Sequence, residues 1–383
     1  MPEAVIVDGV RTPVGRRGGA LAGWHPTDLL AHTLEKLVDR IGIDAHSLDD
    51  VIVGCALTRG EQASNFARYA VLGAGLPETL PATTVDRQCG SGQQAIHFAA
   101  QAVRSGDANY VIAAGVESMS RVELGELFNP SSGPGPWYGQ LSTQRFHGML
   151  GAQGPSAEAM VRKWGLSREE LDEFSVESHR RASRATEAGF FLDHLVAIGS
   201  QTRDEGIRPS IDRGKMAALS TPFDPHGAIT AANSSQLSDG AAALLVADRT
   251  SAEAAGLRPK AVIRAMAVAA DDPVLQFTAI LPAARKALSR AGLGMDDIDR
   301  IEVNEAFACV PMVFAREFGV DMNRLNVNGG SIAIGHPLGS TGARMMIDLV
   351  YELHRSKSRF GMLTICEGGG MANSTIIERI GDD

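Results

Sequence analysis

The 383-residue sequence has few cysteines, few aromatic residues and no excess of positive charge. Its four cysteines lie far apart, at Cys55, Cys89, Cys309 and Cys366. Because no Cys-x-x-Cys pair is present, the pattern argues against a disulfide framework, a zinc site and a thiol-disulfide redox protein, and it fits a reducing compartment. A net charge of −9 argues against a nucleic-acid partner.

Long apolar runs are also missing, and none reaches the length of a membrane span. The first residues, "MPEAVIVDGVRTPVG", lack the layout of a signal peptide, and the last ones, "IIERIGDD", are not a peroxisomal address. From these features we expect a cytoplasmic protein that has no membrane partner.

Short apolar runs alternate with helical patterns in the first 120 residues. The runs "AVIVDGV", "DDVIVGCA" and "YVIAAGVES" are typical of buried strands, and helices are predicted over 27–41 and 93–105. This alternation predicts an α/β fold with a mostly parallel sheet. Strand signals become rare after Ser120, through the loop "NPSSGPGPWYG", and return at "DGAAALLVAD" (239–248). A subdomain inserted at 121–235 is therefore expected.

The second half of the chain repeats the first. "GIDAHSLDDVIVG" (42–54) aligns with "GLGMDDIDRIEVN" (292–304) at an offset of 250 residues, and the preceding helical segments keep that offset. "VDRQCGSG" and "VIAAGVE" are likewise echoed by "VNGGSIAIGHPLGSTG" and "GMLTICEGG". Two copies of one βα unit indicate a pseudo-two-fold structure.

Two segments place a reactive side chain where a helix is predicted to begin. Cys89 precedes the helical pattern "QQAIHFAAQAV", and a helix N-terminus lowers the pKa of a nearby thiol from about 8.5. Cys89 is thus a candidate nucleophile, and the alternative is a thiol that only packs. His336 lies in the glycine-rich "GGSIAIGHPLGSTGA", where backbone can approach a ligand closely. Its alternative is a histidine on a surface loop.

Two further candidates lie where predicted strands end, which is where α/β sheets carry their sites. Cys366 in "TICEGGGMA" is followed by three glycines, and its alternative is a buried packing cysteine. Asn304 in "VNEAFA" either orients water or caps a helix N-terminus, and the sequence leaves both open.

These motifs together resemble the thiolases, which are CoA-dependent acyltransferases that make or cleave 3-ketoacyl-CoA. "QCGSGQQA", "NEAF", "GGSIAIGHPLGSTG" and "CEGGGMA" follow in family order, and the resemblance covers the whole chain. It implies two similar βα-repeat domains in α/β/α/β/α layers plus an inserted loop domain. The implied division is 1–120 with 236–268 for the N-terminal domain, 121–235 for the loop domain and 269–383 for the C-terminal domain.

The resemblance also implies roles for single residues. Cys89 would carry the acyl group, His336 would activate it, and Cys366 would be the acid/base at the α-carbon. Asn304 would hold a water beside His336 in one oxyanion hole, and the backbone N–H groups of Cys89 and Gly368 would form the other. The remaining implied contacts are Ser235 and Arg208 with CoA, and Gln153 and Phe307 with the acyl group. No cofactor or metal is implied, CoA being a co-substrate, and a homodimer or homotetramer is expected.

The chain departs from the common thiolase pattern at two places. Gln153, in "AQGPSAE", stands where methionine is usual, and "CEGGG" replaces the commoner "CIGGG". These changes favour a bulkier or more polar acyl group, such as those from steroid or aromatic breakdown. The sequence favours a degradative thiolase over a biosynthetic acetoacetyl-CoA thiolase. A ketoacyl synthase-like condensing enzyme is disfavoured by "NEAF" and Cys366, and a catalytically silent CoA-binding protein by the four filled catalytic positions.

Overall fold

The computed structural model describes residues 2–125, 139–151 and 153–381, so most of the loop "NPSSGPGPWYG" lies outside the described residues. The strands are β1 Ala4–Arg11, β2 Gly15–Arg16, β3 Asp50–Gly54, β4 Ala82–Val85, β5 Tyr110–Ser118, β6 Ser238–Asp248, β7 Ala261–Ala270, β8 Arg300–Val303, β9 Phe360–Glu367 and β10 Met371–Arg379. The helices are α1 Pro26–Ile41, α2 Phe66–Gly73, α3 Ser91–Ser105, α4 Gly139–Arg145, α5 Gln153–Trp164, α6 Arg168–Glu187, α7 Arg213–Ala217, α8 Arg249–Ala254, α9 Ile280–Ala291, α10 Cys309–Phe318, α11 Ser331–Ile334 and α12 Leu338–Ser356.

The strands form one hydrogen-bonded sheet in the order β4-β3-β5-β6-β1-β7-β10-β9-β8, with β2 beside β6. The prediction of a mostly parallel sheet is wrong, because only β3–β4, β3–β5 and β8–β9 are parallel pairs. The β9–β10 pair shows the cause. Three glycines join these strands, and Gly369 and Gly370 have φ of 82° and 78°. Such a tight turn makes an antiparallel hairpin, whereas parallel neighbours need a long crossover.

The predicted repeat is confirmed by the pairing of the strands. β1, β3, β5 and β6 of the first half correspond to β7, β8, β9 and β10 of the second, and α1 corresponds to α9. Both helices end at a glycine in the left-handed region, Gly42 with φ 70° and Gly292 with φ 68°. Val51 pairs in parallel with Ala82, and Ile301 forms a parallel bridge to Leu325 at the equivalent place.

The two halves meet through a shared helical layer. One face of the first half of the sheet packs against α1 and α2, and one face of the second half packs against α9 and α10. The opposite faces of both halves bury α3 and α12 between them. This arrangement is the predicted α/β/α/β/α layering, and it places the N-termini of α3 and α12 at the centre of the molecule.

The boundaries between the predicted domains stay a prediction, but the sheet bears on one of them. β7 pairs with β10 along its whole length and with β1 through only two residue pairs. These contacts favour a boundary before Ala261 over the predicted start of the C-terminal domain at residue 269. In the described part of the predicted loop domain, α4 to α7 predominate, and none of the helices described anywhere in the chain has the length and apolar character to span a bilayer.

Candidate active site

Close contact between α3 and α12 brings two of the candidate residues to one place. A Cβ atom on Gly342 would lie 2.1 Å from the backbone nitrogen of Gln93, and one on Gly92 would lie 2.6 Å from the carbonyl oxygen of Gly339. Only glycine fits at such distances, so the two helix N-termini touch through their backbones. Cys89 precedes one helix and His336 precedes the other, and both therefore lie at the same end of the central pair.

Cys89 lies on a tight turn between β4 and α3. Gln88, just before it, has a φ of 49°, which costs a side-chain-bearing residue about 1–2 kcal/mol. Hydrogen bonds hold this conformation: the Gln88 N–H donates to Asp86 Oδ1 at 2.7 Å, and Ser91 Oγ donates to the Gln88 carbonyl at 2.6 Å. The strain and its bracing fix the direction in which the Cys89 thiol points.

The thiol of Cys89 is protonated at neutral pH. Burial, followed by the nearby carboxyl of Glu367, raises its pKa to about 12, while a hydrogen bond from Gln153 acts in the opposite direction. The expectation that the helix start lowers the pKa of Cys89 is therefore wrong, because loss of solvent outweighs the helix dipole. A nucleophilic Cys89 needs a base to take its proton.

His336 is buried and its tautomer follows from its partners. Thr341 Oγ1 donates its hydrogen to the Pro337 carbonyl at 2.8 Å, so it accepts from His336 Nδ1–H at 2.7 Å. The other ring nitrogen, Nε2, is left as an acceptor. Burial, with a smaller contribution from Arg344, lowers the pKa of His336 to about 3, so the ring is neutral at physiological pH. At 4% exposure it is not a surface-loop histidine.

Asn304 contacts His336 directly, 3.3 Å separating Asn304 Nδ2 from His336 Nε2. The orientation of the amide is set by a chain of donors. Arg344 can only donate, and it does so to Ser331 Oγ at 3.3 Å, so the Ser331 hydroxyl gives its hydrogen to Asn304 Oδ1 at 2.6 Å. The amide nitrogen then faces His336. The helix-cap alternative is wrong, because the next helix, α10, begins at Cys309.

Cys366 lies near Cys89. It lies one residue from the end of β9 and is 1% exposed, and burial followed by the neighbouring Cys89 raises its pKa well above the ordinary range. Because a thiolate on Cys89 raises the pKa of Cys366, ionisation of one thiol opposes ionisation of the other. The site therefore holds a pair of coupled thiols, one from each half of the molecule.

Aromatic side chains line the same apolar cluster as Cys366. Phe307 lies in it with its ring centroid 5.5 Å from that of Phe277 and 6.4 Å from that of Phe223. The ring of Phe223 also fills the space beside Gly154, next to Gln153. Phe223 thus lies between Phe307 and the start of the helix that carries Gln153, and Gln153 is also bonded to the nucleophile candidate.

Three other candidate residues are partly or fully exposed. Gly368 is half-buried and approaches Gln88, whose Oε1 would be 3.2 Å from a Cβ on that glycine. Ser235 is half-buried, and its backbone N–H donates to the Ala306 carbonyl at 3.0 Å. Arg208 is exposed, with its backbone N–H bonded to His179 Nδ1.

Sequence reasoning missed four residues that contact the site. They are Ser331, Thr341, Arg344 and Glu367. The first three lie within or just after the motif that carries His336, and a buried hydroxyl or arginine in such a motif was the available signal. In the part of the chain that the structure describes, no group of three or more histidine, cysteine or acidic side chains could hold a metal ion.

Known proteins match this chain over nearly its whole length. Residues 4–250 match the thiolase N-terminal domain family, and residues 257–379 match the thiolase C-terminal domain family. The steroid 3-ketoacyl-CoA thiolase FadA6 of Mycobacterium tuberculosis is 46% identical, with 99% of this chain and 95% of that protein covered. A beta-ketoadipyl-CoA thiolase of Escherichia coli is 41% identical, with 99% and 100% covered.

A solved structure supports the same relationship. The acetyl-CoA acetyltransferase of Bacillus anthracis superposes with a TM-score of 0.90 at 35% identity, with 99% of each chain covered. Both the sequence matches and the superposition extend across the two repeats and the inserted segment. The chain therefore belongs to the thiolase family and is a CoA-dependent acyltransferase.

Proposed function

We propose that Cys89 carries the acyl group during thiolytic cleavage of a 3-ketoacyl-CoA, with His336 as its base and Cys366 as the acid/base at the α-carbon. The observation that carries this proposal is the orientation of His336. Its Nε2 is a neutral acceptor fixed by Thr341 and Asn304, at the same end of the central helix pair as Cys89. A protonated thiol needs such a base.

The steps balance in protons. Cys89 Sγ attacks the 3-keto carbon as its proton passes to His336 Nε2, and the bond between C2 and C3 then breaks. Cys366 gives its proton to the acetyl-CoA carbanion that leaves. The thiol of a second CoA returns a proton to Cys366 and attacks the thioester, and His336 gives its proton back to Cys89. Each thiol is thus restored, and no cofactor is consumed.

Fixed donors would stabilise the two oxyanions that form. The backbone N–H groups of Cys89 and Gly368 would bind one, and protonated His336 with a water held by Asn304 would bind the other. Ser235 and Arg208 would contact the pantetheine and nucleotide parts of CoA. Donors aimed at developing charge are typically the largest catalytic contribution, about 3 kcal/mol for each donor removed.

Replacing Asn304 tests this assignment. Asn304→Ala is expected to lower kcat by roughly 100-fold or more, as for loss of one oxyanion-hole element, with a smaller change in KM. Steady-state cleavage of acetoacetyl-CoA and of a longer 3-ketoacyl-CoA measures both constants. Asn326→Ala is the matched control, because the Asn326 side chain is buried beside β8 and bonds to Val303 and Glu305 rather than to His336. That control should lower Tm, whereas an Asn304→Ala loss that simply followed Tm would contradict the role.

The acyl group is proposed to be bulkier or more polar than a short linear chain. Gln153 offers an amide where thiolases commonly have methionine, and Phe223 and Phe307 supply an aromatic wall beside it. The relatives named for steroid and beta-ketoadipyl substrates are consistent with such groups. Rates of CoA-dependent cleavage across linear, cyclic and carboxylated 3-ketoacyl-CoA esters test the substrate class. A strict preference for acetoacetyl-CoA would instead favour the biosynthetic alternative.

Gln153→Met should shift the preference toward short linear chains. The methionine removes the donor to Cys89 and makes the pocket wall apolar, and a change of this size in a pocket is worth about tenfold in relative kcat/KM. The same ester panel measures the shift. Gln101→Met, on the exposed side of α3, is the matched control and should leave the profile unchanged. If Gln153→Met gives the wild-type profile, Gln153 does not line the acyl pocket.

We further propose that the enzyme is a cytoplasmic homodimer or homotetramer. Light scattering of the purified protein distinguishes these two states from a monomer. Cell fractionation tests the location.

A further inference from the structure

Glu367 is a buried carboxyl group that the proposed mechanism does not use. It follows Cys366 at the end of β9 and is 0% exposed, and neither carboxylate oxygen has a hydrogen-bond partner among the residues that the structure describes. Two other buried glutamates of this chain differ. Glu117 and Glu305 each accept at least three hydrogen bonds. A buried carboxyl without any partner needs a physical explanation.

The side chain points to the turn that carries the nucleophile. Alternation along β9 puts Cys366 on one face and Glu367 on the other, toward α3. A Cβ on Gly90 would lie 1.9 Å from Glu367 Oε1 and 2.7 Å from its Cδ, so the carboxyl group occupies the space that a side chain at position 90 would need. A side chain at position 90 would force the Glu367 side chain to move, and the carboxyl lies beside the residue that follows Cys89.

Three consecutive residues at the end of β9 each contact a residue of the Cys89 turn. Cys366 interacts with Cys89, Glu367 fills the space beside Gly90, and Gly368 approaches Gln88. Any change in the charge of Glu367 therefore acts on both reactive thiols at short range.

Few charged groups face this carboxyl. Arg87 and Asp86, in the turn before α3, act on it in opposite directions, and the Nε of Arg87 is itself buried without a partner. Gln94 and Asn373 bond to each other between α3 and β10, and Met371 is the partner of Glu367 across the strand. His97, further along α3, has a pKa lowered to about 3 by burial and is neutral.

We propose that Glu367 is a positioning residue that stays a neutral carboxylic acid behind the Cys89 turn, and that its ionisation sets the alkaline limit of the reaction. This inference rests on the proposed role of Cys89. The buried, unpaired carboxyl favours its protonated form, because an isolated charge in such a place is costly. Burial, its main cause, raises the pKa of Glu367 well above the ordinary range.

The sign of the effect follows from the same contacts. While Glu367 is neutral, transfer of the Cys89 proton to His336 leaves a thiolate that is not repelled by a negative charge on Glu367. When the pH rises and Glu367 ionises, its charge opposes the thiolates of Cys89 and Cys366, since it raises the pKa of both. The wild-type rate of acylation should therefore fall at alkaline pH, and a residue that cannot ionise should remove that fall.

Glu367→Gln is the test, because glutamine keeps the shape and cannot ionise. We expect acylation of Cys89 by a simple acyl-CoA to stay within about twofold of wild type at neutral pH and to keep its rate at alkaline pH. The pH profile of Cys89 alkylation by iodoacetamide should shift down by about one unit or more, because a nearby like charge that raises the thiol pKa is removed. Intact-protein mass spectrometry measures both. The infrared absorption of protonated carboxyl groups should be weaker in the variant than in the wild type by the band of one group, because buried Glu302 also has a pKa raised well above the ordinary range by burial.

The controls separate charge from packing. Glu378→Gln removes a carboxylate from the far end of the same strand pair and should leave the profile unchanged. Glu367→Ala, which also cannot ionise, serves if the glutamine variant does not fold. A wild-type pH profile in the Glu367 variants, or a loss of rate in them that is equal at every pH, would overturn the proposal. Failure of the wild type itself to acylate Cys89 would instead refute the proposed function on which the inference rests.

Discussion

The Cys366→Ala enzyme is expected to take up an acyl group on Cys89 and yet fail to make or break a carbon–carbon bond. Acyl transfer from a simple acyl-CoA needs a nucleophile, a base and oxyanion donors. Cleavage or condensation also needs a proton to move at the α-carbon. Cys366 comes from the second half of the molecule and lies near Cys89, which comes from the first. The variant should therefore separate two steps that share one pocket.

The expected loss is large for one step and small for the other. General acid–base catalysis is typically worth about 100- to 10,000-fold, so cleavage of a 3-ketoacyl-CoA and condensation of two acetyl-CoA molecules should fall by at least 100-fold. The mass increase on Cys89 should remain. Hydrogen–deuterium exchange at the methyl group of bound acetyl-CoA, followed by NMR, should be lost with the cleavage activity.

Cys309→Ala is the matched control for this variant. Cys309 is a buried thiol in the same apolar cluster, acts on the pKa of Cys366, and has no proposed role. We expect its variant to keep both steps, apart from some loss of stability. A Cys366→Ala enzyme that exchanges the methyl protons at the wild-type rate would move the base role to His336.

Cys89→Ala should abolish both acyl-enzyme formation and turnover while the fold survives. Removal of one sulfur atom creates only a small cavity. The turn is held by hydrogen bonds of Asp86 and Ser91 to the Gln88 backbone, and these do not involve the sulfur. The variant should bind CoA with the wild-type Kd. Mass spectrometry after mixing with acyl-CoA, calorimetric binding of CoA and a thermal melt measure the three properties.

Alkylation provides an independent check on Cys89. All four thiols are buried and free, and Cys89, at 4% exposure, is the least buried of them. Limiting iodoacetamide should therefore label Cys89 first, and acyl-CoA should protect it. Equal labelling of Cys55 or Cys309, each 0% exposed, would count against Cys89 as the accessible nucleophile.

Local features of the sequence were sufficient to predict the helices and strands and to indicate the family. The helices predicted over 27–41 and 93–105 are Pro26–Ile41 and Ser91–Ser105, because apolar spacing and a terminal glycine are local signals. The offset of 250 residues between similar segments predicted the pseudo-two-fold, since similar sequence patterns form similar elements. The motifs around Cys89, Asn304, His336 and Cys366 indicated the family for the same reason.

Burial and long-range contact were decided only by the tertiary structure. The direction of β10 depends on a tight turn, and the raised pKa of Cys89 depends on the loss of solvent and on Glu367, 278 positions away in the sequence. The amide of Asn304 is oriented through Ser331 and Arg344. From the sequence alone, Asn304 could either orient a water or cap a helix. Periodicity and motif spacing report which face of an element is apolar. They carry no information on which charges from distant segments share one dry pocket, and that is what sets the protonation state of each thiol.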